Sequence, residues 1–217
     1  MNSEFWNDRY KVEDFAYGLN PNEFLVESVE TLRNSQAISA RNSPLKVLCI
    51  AEGEGRNALY LAKQGFEVFG VDYSAEGMTK LQKASEKEGL SHLIHTEVAD
   101  LNNYDFHKDA EDGWDMIVSI FAHTPPLLQS RIFQEIKSSL KVGGWLIYTA
   151  YHPDNLGRGT GGPPVSDMCM TLERLQASFP VEEGCRMGSL EQVERTVNEG
   201  KYHQGLASVV QMQMQKV

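Results

Sequence analysis

The sequence predicts one α/β domain with a doubly wound, mostly parallel sheet of seven strands, the last of them antiparallel. Between residues 46 and 151, short apolar stretches alternate with amphipathic helical ones, which is typical of a parallel sheet covered by helices on both faces. After residue 152, a Gly- and Pro-rich loop precedes two strands joined by a hairpin turn. The length of 217 residues fits a single domain with a complete core.

The individual elements follow from periodicity and from the residues that begin or end them. Leu25, Val29 and Leu32 share one face of a helix over 22–33, and Pro21 suits its start. A turn is expected at 42–44. The predicted core elements are a strand at 46–51, a helix at 56–64, a strand at 67–72, a helix at 74–87, strands at 92–98 and 114–121, a helix at 126–141 and a strand at 145–151.

The C-terminal part has a different character from the core. It begins with the loop at 152–164, which we expect to be mobile and close to the ligand site. A short helix at 171–179 and strands at 185–197 and 206–215 follow. The single domain, 1–217, therefore divides into an N-terminal segment and helix at 1–33, a ligand-binding core at 46–151 and a C-terminal part at 152–217.

Composition and charge exclude several classes of function. The net charge is −10 and the basic residues are scattered, so we expect no nucleic-acid partner. No apolar run approaches the about 20 residues that span a bilayer, and no secretory signal is expected, so a membrane partner is not predicted. Three widely spaced cysteines, Cys49, Cys169 and Cys185, argue against disulfides or a metal site and favour a cytoplasmic location. The oligomeric state cannot be inferred.

A glycine-rich loop follows the first predicted strand and leads into a helix. Gly53 and Gly55 let the backbone turn tightly and let a ligand lie against it. Asp72 lies 19 residues after Gly53, at the end of the second strand, where an acid can accept hydrogen bonds from both hydroxyls of a ribose. This spacing predicts a ribose-containing cofactor, and it also fits a dinucleotide such as NAD.

Two carboxylates in the loop distinguish between these cofactors. Glu52 and Glu54 lie where a pyrophosphate would approach the helix N-terminus, and like charges repel in a partly desolvated site. S-Adenosylmethionine (SAM) has no phosphate and carries a sulfonium and an α-ammonium group beside its ribose. The carboxylates therefore favour SAM, with Glu52 as the partner of its amino group. Arg9, Arg56 or backbone N–H groups can hold its carboxylate.

Acidic residues end three successive predicted strands at the same edge of the sheet. Asp100 follows the third strand, as Asp72 follows the second and Glu52 the first. Ligands bind at this edge in open α/β sheets. We expect Asp100 to accept a hydrogen bond from the adenine amino group and Leu101 to offer its backbone N–H to the ring.

These motifs resemble those of class I SAM-dependent methyltransferases, and most closely the tellurite-resistance and thiopurine methyltransferase-like group. The superfamily resemblance rests on E-G-E-G-R-N, V-D-Y-S, A-D-L, S-I-F-A-H-T-P-P and L-K-V-G-G-W-L. The group resemblance rests on W-N-D-R-Y and F-A-Y-G-L-N-P-N-E-F-L near the N-terminus, L-G-R-G-T-G-G-P-P, and E-G-K-Y-H-Q-G with V-V-Q near the C-terminus. Val142 departs from the usual Pro before Gly-Gly, which affects a turn and no ligand contact.

The resemblance implies a Rossmann-like methyltransferase fold with a seven-strand sheet and a cofactor site at its edge. The glycine-rich loop would pack on the methionine part of SAM, and Ile120 or Phe121 would lie under the ligand. The N-terminal segment, with Trp6 and Tyr10, would cover the ligand as a lid. The predicted cofactor-binding residues are Arg9, Tyr17, Gly18, Glu52, Gly53, Glu54, Gly55, Asn57, Asp72, Tyr73, Asp100, Leu101 and Ile120.

The aromatic residues of the lid allow two interpretations. An aromatic face beside a sulfonium gains about 0.5–2 kcal/mol from cation–π attraction, so Trp6, Tyr10, Phe15 or Tyr17 can contribute to binding. The alternative is that these rings only cover the core.

Histidines are the candidate catalytic residues. His123 follows the fourth strand, near the expected position of the methyl group, and His152 and His203 are further candidates for a base. Methyl transfer needs little acid–base chemistry, because alignment and exclusion of water can supply most of the rate. The predicted function is SAM-dependent methylation of a small molecule, with a sulfur, selenium or tellurium nucleophile. A non-catalytic SAM-binding or interaction protein and a nicotinamide-dependent oxidoreductase are the alternatives.

Overall fold

A computed structural model describes residues 2–38 and 43–217, and its core is a seven-stranded sheet. The strands are β1 (Lys46–Ile50), β2 (Glu67–Asp72), β3 (Ile94–Val98), β4 (Trp114–Ile120), β5 (Leu140–Tyr151), β6 (Cys185–Glu199) and β7 (His203–Lys216). Their order across the sheet is β3-β2-β1-β4-β5-β7-β6. Strand β7 runs antiparallel to both of its neighbours, β5 and β6, and the other described strand pairs are parallel. The predicted fold class is therefore confirmed.

Six helices cover the sheet in the described part of the chain. Side chains begin four of them, because Asn2, Asn22, Ser74 and Thr171 accept hydrogen bonds from backbone N–H groups of the first turn. Buried apolar clusters pack on both faces of the sheet. The helices are α1 (Ser3–Tyr10), α2 (Glu23–Asn34), α3 (Arg56–Lys63), α4 (Ala75–Lys87), α5 (Pro126–Ser139) and α6 (Leu172–Ser178).

The structure departs from the predicted elements in two main places. Helix α1 was not predicted, because its apolar residues do not follow a helical period and its start depends on Asn2, which accepts from the Phe5 N–H at 3.1 Å. Helix α5 ends at Ser139, and β5 continues through Gly143 and Gly144, where its pairing with β4 is interrupted by a bulge. Position 42, the first of the predicted turn at 42–44, lies outside the described residues.

Candidate functional site

A cavity of about 800 Å³ lies at the carboxyl edge of the sheet, within the size range of ligand sites. The residues that follow β1, β2, β3 and β4 form its floor, and segments 5–18, 161–168 and 202–203 cover it. Every predicted cofactor-binding residue except Gly55 lines this cavity, and so does His123. The ends of β1, β2, β3 and β4 therefore meet at one site, and the local contacts show what engages each residue there.

Glu52 lies at the N-terminus of α3, inside the cavity wall. Its Oε1 accepts from the Ala58 N–H at 2.7 Å, since Gly55 begins the helix and has no side chain to do so. The side chain is only 8% exposed. Burial raises its pKa to about 7, although backbone hydrogen bonds and the Arg56 charge oppose the shift. A cationic ligand group beside this carboxyl would favour its ionised form.

Asp72 holds the glycine-rich loop in place. Its Oδ2 accepts from the Gly53 N–H and its Oδ1 from the Ser74 N–H, both at 2.8 Å. Burial raises the pKa of Asp72, and these backbone hydrogen bonds limit the shift. Each carboxylate oxygen has a second acceptor position, so the group can support the loop and still bind a hydroxyl in the cavity.

Glu54 has a structural partner that the sequence did not reveal. Its Oε1 lies 2.7 Å from Lys80 Nζ, and its Oε2 accepts from the Ala16 N–H at 2.8 Å. The charge of Glu54 is therefore balanced by Lys80, and the side chain fastens the N-terminal segment over the cavity. Both loop carboxylates were expected to repel a pyrophosphate. Because Lys80 compensates Glu54, Glu52 alone opposes a pyrophosphate at this loop.

Asp100 and Leu101 lie at the end of the cavity beyond β3. Asp100 Oδ1 accepts from the backbone N–H and the side chain of Asn102, at 2.9 and 2.8 Å. Its Oδ2 accepts no hydrogen bond from the described residues. This oxygen can therefore accept from a ligand amino group, as predicted for adenine. Leu101 is fixed by Arg131, which donates to its carbonyl at 2.6 Å.

Gly55 and Asn57 both have packing roles, and Asn57 also lines the cavity. Gly55 has a φ of 91°, and a Cβ at this position would collide with Leu81 of α4. It lets α3 approach α4 and is not among the residues that line the cavity, so its predicted ligand contact stays a prediction. Asn57 lines the cavity, and its Oδ1 accepts from the Asn22 N–H at 2.9 Å, so it also positions the start of α2.

Two strained residues form the centre of the cavity floor. Ala51 and Phe121 have positive φ values of 51° and 56°, which non-glycine residues rarely adopt. They directly follow β1 and β4, which are neighbours in the sheet, and Ile120 precedes Phe121 in the wall. Strain of this kind concentrates at functional sites. A pattern of residue types does not reveal it, and only the backbone angles of the structure do.

Residues 3–18, called the lid below, bring a cluster of aromatic rings and one arginine to the cavity. Tyr10 stacks on Trp6 with ring centroids 5.9 Å apart. Arg9 Nη1 donates to the Tyr17 hydroxyl at 2.7 Å, and its guanidinium lies 4.2 Å from the ring centroid of Tyr202. Arg9 makes no ion pair with any described residue. Its predicted role in holding a ligand carboxylate therefore stays a prediction with a suitable geometry.

The lid is fastened to the β6–β7 hairpin turn. The Lys201 N–H donates to the Ala16 carbonyl at 3.0 Å. Gly18 and Gly200 meet there, and a Cβ at Gly200 would collide with the Ala16 carbonyl and the Gly18 nitrogen. This close approach requires glycine at position 200, whose φ is also positive at 66°. The predicted lid residue Gly18 therefore has a packing role at the rim of the cavity.

A buried ionic network supports the lid and the hairpin from below. Glu199 accepts from Arg56 Nη2 at 2.6 Å and from Asn22 Nδ2 at 2.9 Å. Burial alone would raise the pKa of Glu199, but a hydrogen bond from His203 and the Arg56 charge bring it to about 2. Arg56 is consequently paired, which leaves Arg9 as the better candidate for a ligand carboxylate.

His123 lines the cavity beside Phe121, but its ring is not arranged as a base. Its Nε2 accepts from the Tyr151 N–H at 3.1 Å, so the lone pair of that nitrogen is occupied. Burial and the nearby His203 lower the pKa of His123 to about 3. The ring is neutral near pH 7 and serves as a wall of the cavity, which argues against proton transfer through it.

The other two histidines differ in position. His152 does not line the cavity, and its Nδ1 accepts from the Asp154 N–H at 3.1 Å. His203 lines it, with its ring centroid 4.6 Å from that of Tyr17 and 4.9 Å from that of Phe121. Burial lowers the pKa of His203 although Glu199 opposes the shift, so its ring is also neutral at pH 7.

Sequence analysis missed much of the wall beyond β4 and β5. This part, called the β4–β5 half below, is separate from the β1–β3 half, which holds Glu52, Asp72 and Asp100. Phe121, His123 and His203 were predicted from the sequence, and neighbouring prolines and glycines in two loops were a further signal. The lining residues of the β4–β5 half are Phe121, Ala122, His123, Thr124, Pro125, Leu127, Leu128, Gly161, Gly162, Pro163, Pro164, Met168, Tyr202 and His203.

Two further features are absent from residues 2–38 and 43–217. No three His, Cys, Asp or Glu side chains cluster there in a way that could hold a metal ion. No helix within these ranges has the length and apolar character needed to cross a membrane.

Comparison with known proteins identifies similar chains. A family model described as tellurite resistance protein TehB matches residues 21–159. A probable SAM-dependent methyltransferase TehB of Haemophilus influenzae is 32% identical over 117 residues, which are 52% of this chain and 39% of that protein. The chain therefore matches well under half the length of this curated relative.

Solved structures share the fold. The crystal structure of TehB from Haemophilus influenzae has a TM-score of 0.66 at 20% identity and covers 99% of this chain and 67% of its own. Magnesium protoporphyrin IX methyltransferase from Synechocystis PCC 6803, solved with bound SAM, has a TM-score of 0.63 at 15% identity and covers 99% and 95%. At these identities the likeness establishes the architecture.

Proposed function

The chain belongs to the tellurite resistance protein TehB family, and from this premise we propose that it is a SAM-dependent methyltransferase. Membership of this family confirms the resemblance that the sequence motifs indicated. The acceptor in this proposal is a small molecule with a soft sulfur, selenium or tellurium nucleophile. The curated relatives of this family carry the name of probable SAM-dependent methyltransferases, which supports the assignment of the activity.

One observation carries the proposal: three carboxylates line one cavity from the ends of three adjacent strands. Glu52, Asp72 and Asp100 follow β1, β2 and β3, and each has an acceptor oxygen available to a ligand. Their order suits an ammonium group, a ribose and an adenine amino group in turn. Buried Glu52 at a helix N-terminus opposes a phosphate there, which favours SAM over a dinucleotide.

SAM, when bound, supplies an electrophilic methyl group on a sulfonium sulfur. The residues of the chain would bind and align it: Glu52 accepts from the ammonium group, Asp72 from the ribose and Asp100 from the adenine. Arg9 is placed to pair with the carboxylate. The lid rings, with Tyr10 and Trp6 stacked, exclude water and offer aromatic faces to positive charge.

The proposed reaction does not require a base in the cavity. His123 is neutral and accepts from a backbone N–H, so its role in this proposal is to shape the wall. A soft nucleophile needs only alignment with the methyl group and removal of water. An acceptor thiol would lose its proton to solvent before or during the transfer.

Calorimetric titration with S-adenosylhomocysteine (SAH), with NADH as the matched control, tests the cofactor assignment. We expect micromolar binding of SAH and no binding of NADH. Binding of NADH in place of SAH would make the chain a nicotinamide-binding protein and would overturn the proposal. Binding of neither ligand would favour an interaction protein that keeps the fold without the activity.

A further inference from the structure

We propose that the β4–β5 half of the cavity selects an uncharged, apolar organic thiol or selenol as the methyl acceptor. This inference rests on the proposed function and restricts its substrate class. It excludes free inorganic oxyanions and charged thiols as preferred acceptors. Three independent features of the described residues support it: the chemistry of the wall, the state of its polar groups and the balance of charge.

Most side chains in the wall of this half are apolar, and the Thr124 hydroxyl, which has no partner among the described residues, is the exception near the end of β4. Leu128 and Met168 contribute side chains without donors, and Pro125, Pro163 and Pro164 have no backbone N–H. An oxyanion that left water for this surface would lose its hydration without gaining equivalent hydrogen bonds. An alkyl or aryl group would instead gain free energy from the burial of apolar area.

The polar groups near this wall already have partners or carry no charge. The Tyr151 hydroxyl lies behind the wall and donates to the Thr160 carbonyl at 3.1 Å. His123 Nε2 accepts from the Tyr151 N–H, and burial lowers the pKa values of both His123 and His203. Neither imidazole is therefore a cation at neutral pH, and no Lys or Arg lies among the lining residues of this half, so it offers no positive charge to an anionic acceptor.

The balance of charge in the cavity also opposes an anionic acceptor. Asp72, Asp100 and Glu52 make no ion pair with any residue in the described part of the chain. Arg56 is paired with Glu199 at 2.6 Å, so Arg9 is the single unpaired cation of the wall among the described residues. It lies on the lid, next to Tyr17 and Tyr202. An anion entering the cavity would meet a net negative field.

The rim of the cavity extends the apolar surface into solvent. Leu127, in the first turn of α5, lines the cavity and is 89% exposed. A leucine this exposed gains nothing from the protein core. It is positioned to contact an apolar acceptor as the acceptor enters.

The chemistry of the step is balanced for a thiol. The thiol sulfur forms the new S–C bond, its proton leaves to solvent, and the electron pair of the broken C–S⁺ bond stays on the cofactor sulfur. The products are a methyl thioether, SAH and one proton. No oxidant, reductant or metal is needed.

A homologous series of alkanethiols tests the inference directly. For ethanethiol through pentanethiol, we expect kcat/KM to rise about fourfold with each methylene, because each buried CH₂ contributes about 0.8 kcal/mol. 3-Mercaptopropanoate, which has the same number of non-hydrogen atoms as pentanethiol, should have a kcat/KM at least tenfold below that of pentanethiol. A flat series would overturn the inference, as would faster methylation of 3-mercaptopropanoate or of tellurite.

A pair of surface variants tests the rim. Leu127→Glu should raise KM for pentanethiol at least threefold and leave the Kd for SAH unchanged. Val181→Glu is the matched control, because Val181 is 74% exposed and lies outside the cavity; it should change neither quantity. Equal effects of the two variants on KM would contradict the proposed rim contact.

The outcomes separate this inference from the function on which it rests. If SAH binds and a charged thiol is methylated best, the methyltransferase assignment stands and the acceptor class is wrong. If SAH binds and no thiol in the series is methylated, the acceptor class is likewise overturned. If SAH does not bind, the proposed function fails and the inference fails with it.

Discussion

The two halves of the cavity have opposite chemical character, one polar and one apolar. The β1–β3 half consists of carboxylates, such as Glu52 and Asp72, whose oxygens accept from backbone N–H groups at 2.7–2.8 Å. The β4–β5 half consists of aliphatic, aromatic and proline residues around the neutral ring of His123. A rigid polar half that recognises hydroxyl and amino groups thus faces an apolar half that recognises shape. This division suits an enzyme with a fixed cofactor and a separately chosen acceptor.

The Arg56–Glu199 pair joins the two halves, and its loss should have the largest effect. Glu199→Gln leaves Arg56 buried without its charge partner, so we expect the free energy of unfolding to fall by about 3 kcal/mol in urea denaturation. Glu194→Gln on the same strand breaks only the exposed pair with Arg158 and should cost less than about 0.5 kcal/mol. Equal losses would show that the buried pair does not join the halves.

The pH dependence of stability provides a second test of the Arg56–Glu199 pair. The pKa of Glu199 is depressed from 4.5 to about 2 in the folded protein. Its stabilisation is therefore complete above about pH 4.5 and is lost as the pH falls toward 2. The Glu199→Gln variant should lack this part of the acid destabilisation, and a stability curve identical in shape to that of the wild type would contradict the assignment.

Asp72→Ala should specifically weaken cofactor binding in the β1–β3 half. The variant removes the acceptor for two backbone N–H groups and for the ribose, so we expect the Kd for SAH to rise at least tenfold by calorimetry. Asp105→Ala is the control, since Asp105 is exposed and accepts only from a local backbone N–H. An unchanged Kd in Asp72→Ala would show that the ribose assignment is wrong.

Binding of SAH in the β1–β3 half should be coupled to the ionisation of Glu52. Burial raises its pKa to about 7, and a bound ammonium group would favour the ionised carboxylate. We expect SAH binding at pH 7 to release about half a proton, and SAH affinity to rise between pH 6 and 7.5. Calorimetry in buffers of different ionisation enthalpy measures this release.

The Glu52→Gln variant provides the control for that experiment. It keeps the size of the side chain and removes the titrating group, so its binding should release no proton at pH 7. Proton release that persists in the variant would assign the coupling to another residue.

His123→Ala should have the smallest effect on the cofactor. Because His123 belongs to the β4–β5 half, we expect kcat to fall up to about tenfold while the Kd for SAH changes less than twofold. The shape of the pH–rate profile between pH 5 and 8 should not change, since the pKa of His123 is about 3. His152→Ala, outside the cavity, is the control. A titration near pH 6.5 that disappears in His123→Ala would restore it as a base.

The difference between the halves also explains what the sequence could predict. Each strand and the acidic residue that follows it can be recognised together in the sequence. The amino-acid pattern alone therefore places Glu52, Asp72 and Asp100 at one edge of the sheet. The sheet order, with β7 inserted between β5 and β6, agrees with the alternation of elements and the final hairpin. These features are local or follow from the connection rules of parallel sheets.

The remaining features depend on contacts between residues far apart in the chain. Lys80 neutralises Glu54 across 26 positions, and Glu199 binds Arg56 across 143. Gly55 serves to pack α3 on α4, and His123 is occupied by a backbone N–H of β5. No spacing in the sequence reveals such partners. They decide which predicted residues face a ligand freely and which are already engaged.

Transfer of an isotopically labelled methyl group from SAM to a small alkanethiol tests the central claim most directly. We expect the label to appear in the methyl thioether, with one SAH formed for each methyl group transferred. Tight SAH binding together with label that stays on SAM across the alkanethiol series would contradict it.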